Sequence, residues 1–215
     1  MVNNELLEII FLTLRVSGSA LAIDCVLGIP FGLILGSEEF RGKKIIQLLI
    51  STGMGLPPVV VGLVVYLLLS NQGPLGTINW LFSPSGMILS QSILAFPLAA
   101  GFTSSAIAAV SPKLIIQIRS MGTTSWQEKI TIFSQARNGI IAAVLAAFGR
   151  IISEVGAVML VGGNIEGHTR VLSTAIVLET RQGKFAFALS LGFVLLGIAL
   201  LANSLTYYFG GQWEK

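Results

Sequence analysis

Charge is what this sequence has least of. Only 11% of its residues are Asp, Glu, Lys or Arg, against 53% apolar, where a soluble domain carries roughly 25% charged residues. So few charges cannot cover a water-facing surface, which excludes an ordinary soluble globule. Cysteine is almost absent: Cys25 stands alone, which excludes an intrachain disulfide, and its apolar surroundings fit a small buried residue. Histidine is equally scarce. His168 lies in a polar loop without clustered ligand-type neighbours, so no metal site, cofactor or catalytic set is expected. No GxxxxGK[ST] phosphate loop occurs, so ATP is not bound by that motif. The N-terminal MVNNELLEII has no basic region and no small-residue cleavage site; the first apolar run is therefore expected to be a span and not a leader.

What the sequence has is long apolar runs, with a mean hydropathy of +0.84. Crossing a bilayer takes roughly 20 apolar residues. Five segments qualify, at 6–35, 45–70, 87–110, 140–161 and 185–208. The expected fold is an all-α polytopic membrane protein, one transmembrane domain over 1–215. Tyr207, Tyr208 and Trp213 at its end read as an interfacial aromatic anchor.

The connections set the expected orientation. Residues 36–44 carry Arg41, Lys43 and Lys44, and residues 111–139 carry Lys113, Arg119, Lys129 and Arg137, whereas 71–86 hold no charge. The positive-inside rule then puts these two basic loops in the cytoplasm, with the N-terminus outside and the C-terminus inside. The loop 162–184, with Arg170, Arg181 and Lys184, runs against that trend. It contains a short amphipathic run, 170–180, read as a re-entrant or surface helix on the outer side.

Small and helix-breaking residues mark packing and bending. Gly28, Gly32 and Gly36 recur every fourth position, a pattern that lets helix backbones approach closely. Pro57 and Pro58, among Gly53, Gly55 and Gly62, are expected to break or kink the second span. Backbone groups freed there must be covered by neighbours or line a wet cavity.

Arg15, Asp24, Arg150 and Glu154 are the ionisable groups in or near the spans. Such groups face the bundle or water and have partners. Arg150 and Glu154, four apart, are candidates for an intramembrane ion pair on one helix face. Either they clamp helices together, or Ser153 and Glu154 sit at a pathway and its gate. Asp24 needs a donor from another helix, and none is identifiable from the sequence.

The loop 111–139 is too long for an ordinary helix connection and mixes Leu114, Ile115, Ile118, Trp126, Ile130 and Phe133 at helical spacing around Gly122. This is a cytoplasmic amphipathic element. Trp126 and Phe133 are anchors for a partner groove, or the element lies on the lipid surface.

Here the sequence resembles the transmembrane domains of type I ABC importers, whose cytoplasmic Glu-Ala-Ala-x-x-x-Gly motif matches with its glycine at Gly122. Ile116-Gln117-Ile118 replaces the Glu-Ala-Ala triplet, and Phe133 to Arg137 replaces the downstream Leu-Pro. The SEVGA run from Ser153, the GGNI run from Gly162 and the following TRxLxTAIxLET are similar to the molybdate and tungstate permeases, nearer the tungstate type. LGIPFG, GLPPVVVGL and GPLG also fit that group, and the likeness covers about residues 8–208.

The resemblance implies the pore-forming permease of an ATP-driven oxyanion importer in the cytoplasmic membrane. The permease itself is no enzyme, because a separate ATP-binding cassette subunit, present in two copies, hydrolyses ATP. It implies a homodimer served by an extracytoplasmic oxyanion-binding protein, with tungstate or molybdate as cargo. It also implies a coupling helix near 112–131 seated in the ATPase, with Arg119, Gly122, Ser125, Trp126, Ile130 and Phe133 as candidate contacts. Candidate pathway or gate residues are Ser153, Glu154, Gly156, Gly162, Gly163 and Asn164. A lone secondary transporter or channel would explain the spans, but it predicts internal repeats that the halves do not display. An intramembrane enzyme lacks its nucleophile, base or metal cluster.

Overall fold

The computed structural model describes the backbone of residues 2–209 and the side chains of residues 5–204. The side chains of Tyr207 and Tyr208 and all of Trp213, the expected interfacial anchor, lie outside the described residues. The regular structure is helical: α1 (Val2–Ser37), α2 (Lys43–Met54), α3 (Pro58–Leu69), a 3-10 turn (Gly76–Ile78), α4 (Pro84–Ala108), α5 (Pro112–Ser120), α6 (Ser125–Gln135), α7 (Arg137–Ile152), α8 (Gly156–Gly162), α9 (Leu172–Arg181) and α10 (Phe185–Phe209).

Three helices, α1, α4 and α10, are by themselves long and apolar enough to cross a membrane. At 1.5 Å per residue α1 is about 54 Å long, well beyond a ~30 Å hydrocarbon layer. The count reaches five if the bent pairs α2–α3 and α6–α7 each form one span; they bend by 102° and 64°.

The helices pack through small residues. α1 and α4 run in the same direction, in the most extensive helix pairing of the molecule. A Cβ on Gly28 would stand 2.9 Å from Ala99 Cβ; one on Gly32 would strike the Ala100 carbonyl and stand 2.7 Å from Thr103 Cβ; one on Gly36 would stand 2.7 Å from the Ser104 carbonyl. Apolar burial gives little reason for helices to associate inside lipid, so contact this close, which maximises dispersion, holds the pair. α7 joins them through Ala147 and Ile151, which meet Ala20, Ala95 and Ala99. The outer face of α10, with Phe185, Leu189, Phe193, Leu196 and Leu200, stays exposed and apolar, as a lipid-facing surface does.

At one end of the bundle α5 and α6 form a hairpin around Gly122, whose φ of +75° favours glycine. Thr124 and Gln127 close a capping box at the start of α6. The sequence reading of one coupling helix over 112–131 thus becomes two helices around a turn. Ile118 and Ile132 bury the hairpin's inner side, while Ile116, Met121, Trp126, Ile130 and Phe133 are exposed.

At the other end, the amphipathic run in 162–184 is α9, with Leu172, Ser173, Thr174, Ala175 and Glu179 buried. It packs on α10 and α1. Thr13 of α1 accepts the Leu172 N–H at 2.9 Å, and Thr169 closes the turn before α9 by donating to the Gly162 carbonyl.

Candidate functional site

Two discontinuities meet inside the bundle. The first separates α2 from α3. Gly55 and Leu56 end α2, their N–H groups bonding back to the Thr52 and Gly53 carbonyls. Pro57 then caps α3 and Pro58 opens it. Proline suits that first position because its missing N–H would have had no helical partner. The pair therefore starts a new helix at a steep angle instead of kinking a continuous one.

The second discontinuity is at Ser153, Glu154 and Val155, between α7 and α8. A single helix through 140–161, as the apolar run predicts, would put Arg150 and Glu154 on one face. That expectation is corrected. α7 ends at Ile152 and Ser153 is its cap, so four-residue spacing no longer aligns the two side chains. Arg150 Nη2 donates to the Leu56 carbonyl at 3.2 Å, whereas Glu154 Oε1 accepts the Ala157 N–H at 3.0 Å. No Arg150–Glu154 ion pair forms among the described residues. The carboxylate instead caps α8, where negative charge is favoured by the helix dipole.

The two breaks lie side by side. A Cβ on Gly156 would stand 2.9 Å from Val59, and one on Gly62 2.6 Å from Ala157 Cα. Val61, Val65 and Leu69 of α3 share one core with Ala157 and Val161 of α8 and Leu94 of α4. Irregular backbone survives at membrane depth only when its polar groups are satisfied by protein or by a wet cavity. Here Arg150 covers the Leu56 carbonyl, and the Ser173 hydroxyl of α9 donates to the Glu154 carbonyl at 2.8 Å. Gly55, Pro57, Gly149 and Ser153 remain exposed, so one side of the junction is open.

The far end of α8 closes with two left-handed residues, Gly163 at φ +75° and Asn164 at φ +52°. Gly162 packs on Met87, Gly163 on Phe82, and the Phe82 N–H bonds the Val161 carbonyl at 2.8 Å. Asn164 Oδ1 is buried without a partner. The candidate pathway residues thus divide into two places, with Ser153, Glu154 and Gly156 at the break and Gly162, Gly163 and Asn164 at the opposite end of α8.

The junction offers few backbone donors. Helix N-termini attract negative charge, but Pro57 and Pro58 remove N–H groups from α3, and Glu154 occupies one on α8. A passage must release what it admits, so weak donors serve it better than a deep site. Beyond the junction, Glu5, Glu8, Arg15, Glu166, His168 and Arg170 line a cavity of about 390 Å³. Arg170 is neutralised there by Glu5 at 3.3 Å and Glu166 at 3.5 Å. Among the described residues no three His, Cys, Asp or Glu are grouped to hold a metal ion.

On the hairpin, Arg119 grips Glu128 with a fork of bonds of 2.8–3.1 Å, and Lys129 reaches Glu38 at 2.8 Å. Of the expected contact residues, Trp126, Ile130 and Phe133 stand exposed on this surface, at 71%, 51% and 40% of their area. Gly122 forms the turn between its helices and Ser125 begins the second one.

Long apolar helices, two bent helix pairs and an exposed α5–α6 hairpin make up this architecture. Two solved structures share the architecture: an amino acid ABC transporter (TM-score 0.73, 17% identity, covering 97% of this chain and 94% of that one) and a bacterial alginate ABC transporter in complex with its substrate-bound periplasmic protein (0.75, 22%, 96% and 80%). The chain belongs to the family of binding-protein-dependent transport system inner membrane components, whose model matches residues 28–213. Its relatives include a probable anion ABC transporter permease of Haloferax volcanii, 45% identical over 93% of this chain and 88% of that one. A tungstate uptake permease of Peptoclostridium acidaminophilum is 39% identical over 94% and 89%, and a molybdenum transport permease of Escherichia coli 31% identical over 92% and 90%.

Sequence reasoning missed Ser173, which ties α9 to the break, Thr13, which ties it to α1, and Thr169, which ties the turn before α9 to the end of α8. The only available signal was the hydroxyl-rich amphipathic run in a segment too polar to span.

Proposed function

We propose that this chain is the permease subunit through which a tetrahedral oxyanion of the tungstate and molybdate class enters the cell, driven by ATP hydrolysed on a separate subunit. The observation that carries the reading is the likeness, over nearly the full chain, to permeases for anions and tungstate. The weak-donor junction of two broken spans supports it.

In this reading two copies of the chain face each other across the open side of the junction. Ser153, Glu154 and Gly156 form the gate, and Gly162, Gly163 and Asn164 flank the outer approach. The N-terminus lies outside and the C-terminus in the cytoplasm, so the α5–α6 hairpin meets one of two ATPase copies. Trp126, Ile130 and Phe133 fill its groove, while Arg119, Gly122 and Ser125 set the hairpin's shape. An extracytoplasmic binding protein delivers the anion to the opposite end. It supplies the tight binding, and the permease offers only a path.

The test is reconstitution of permease, ATPase and binding protein in proteoliposomes. Tungstate-loaded or molybdate-loaded binding protein should raise ATP hydrolysis and carry the anion inward. Transport by the permease alone, without ATP, would overturn the proposal.

A further inference from the structure

Asp24 is the only aspartate in the sequence, and it sits where a small residue would be expected. It falls on the stripe that continues through Gly28, Gly32 and Gly36, so it enters the tightest seam of the bundle. Gly28 meets Ala99 and Gly32 meets Thr103; the same register sets Asp24 level with Ala95 of α4. Gln91 and Ser92 lie one turn before Ala95. Ala20, Ala95, Ala99, Ala147 and Ile151 surround this level from α1, α4 and α7.

Asp24 is 1% exposed, and both of its carboxyl oxygens are buried without a hydrogen-bond partner. The adjoining turn of α4 has two more unpartnered polar atoms, the acceptor Gln91 Oε1 and the hydroxyl Ser92 Oγ. Gln91 has turned its amide N–H to the Ile151 carbonyl at 3.2 Å, which leaves its oxygen free inside the bundle.

Among the described residues no cation reaches this carboxyl. α4 has no ionisable side chain. On α7, Arg137 stands at the far start of the helix, and Arg150 is committed to the Leu56 carbonyl. α9 meets only the first half of α1, where Thr13 holds Leu172. On α1 itself the neighbour is Cys25, a thiol. An unpaired buried carboxylate costs far more than a neutral acid, which loses its charge and gains a donor. Three acceptor oxygens and one hydroxyl lie here without hydrogen bonds, and a proton on the carboxyl would remove the buried charge.

We propose that Asp24, with Gln91 and Ser92, forms a proton-binding site in the α1–α4–α7 seam, occupied at neutral pH. The proton comes from water and remains on the carboxyl. No other bond changes. The occupied site keeps the seam neutral, so that α1 and α4 can stay in glycine-mediated contact. Any state that wets the seam releases the proton, so Asp24 carries its charge only when α1 and α4 part.

Because the chain has a single aspartate, infrared spectroscopy can read this site directly. The purified permease in lipid nanodiscs, with carbon-13 in the aspartate side-chain carboxyl, should show an isotope-shifted protonated C=O stretch at pH 7. Asp24→Asn should lose that band while folding and assembling with the ATPase as the wild type does. If Asp24→Asn fails to fold, the isotope shift in the wild type still assigns the band. A labelled carboxylate pair of bands at pH 7 overturns the proposal, as does loss of the acid band on adding sodium ions, which would mean a metal cation holds the site. Neither readout depends on transport, so a wrong cargo assignment would leave this result standing.

Discussion

The guanidinium of Arg150 lies 3.2 Å from the carbonyl of Leu56, joining two helices 94 residues apart in sequence. The carbonyl is freed because α2 ends there, and the arginine is free because α7 ends two residues after it. Each break thus provides what the other needs. A charged donor on a buried carbonyl contributes about 1.5–3 kcal/mol, and leaving that carbonyl bare costs a similar amount. Arg150→Leu should therefore lower the melting temperature of the purified protein and abolish anion-stimulated ATP hydrolysis in the assembled transporter. Arg150→Lys should recover part of both. Unchanged melting and activity in Arg150→Leu would show that the bond does not hold the junction.

Gly32 tests the α1–α4 seam. A Cβ there would strike the Ala100 carbonyl and crowd Thr103, and backbone cannot move aside as a flexible side chain can. Overpacking of this kind costs about 1–3 kcal/mol, and more if the helices must separate. Gly32→Leu should sharply reduce the yield of folded protein in the membrane, whereas Gly18→Leu, where nothing lies within 4 Å, should not. Equal yields of the two variants would refute close packing at this seam.

Much of this architecture is legible in the sequence because hydropathy and loop charge are local signals. The apolar runs mark where the chain enters lipid, and Trp126 and Phe133 mark an exposed amphipathic element, though not that Gly122 divides it into two helices. What was not legible depends on contacts distant in sequence. Arg150 and Glu154 read as partners because their spacing is right for a helix, yet the helix stops between them and each bonds elsewhere. Ser173 reads as one hydroxyl in a polar loop, and only the fold brings it to the Glu154 carbonyl. The proline pair announces a break but not its 102° angle, which follows from Pro58 beginning a second helix.

Trp126 tests the docking surface. Its ring is 71% exposed, so removing it takes little from the permease fold, while a buried aromatic anchor contributes heavily to an interface. Trp126→Ala should insert and melt like the wild type yet lose most co-purifying ATPase. Full retention of the ATPase would place the contact elsewhere.

Acidity should loosen the same hairpin. The hydrogen-bonded Arg119 holds the Glu128 carboxyl below its usual range, and Glu128 in turn raises the Arg119 guanidinium. A carboxylate depressed on folding contributes above the ordinary glutamate range and loses that contribution as pH falls through its lowered value. ATPase association should therefore weaken below about pH 4.5. Glu128→Gln should show weaker association at neutral pH and no further change with acid in that window. An identical acid profile in the variant would remove the pair from the explanation.

Lys129 and Glu38 form the link between the hairpin and the end of α1. Their 2.8 Å bridge joins α6 to the turn that follows α1, and side-chain exposures of 37% and 46% leave it open to solvent. Such a bridge contributes well under about 1 kcal/mol and is screened by salt, so it cannot matter much for stability. Its position matters more, because a hairpin pushed from below would move α1 through this contact. Lys129→Glu should leave the melting temperature unchanged but lower the anion transported per ATP hydrolysed, as like charges push the hairpin from α1. The double exchange, Lys129→Glu with Glu38→Lys, should restore that ratio, while either single change in high salt should resemble the wild type. If the double exchange transports no better than the single variants at low salt, the bridge is a surface contact without a part in coupling.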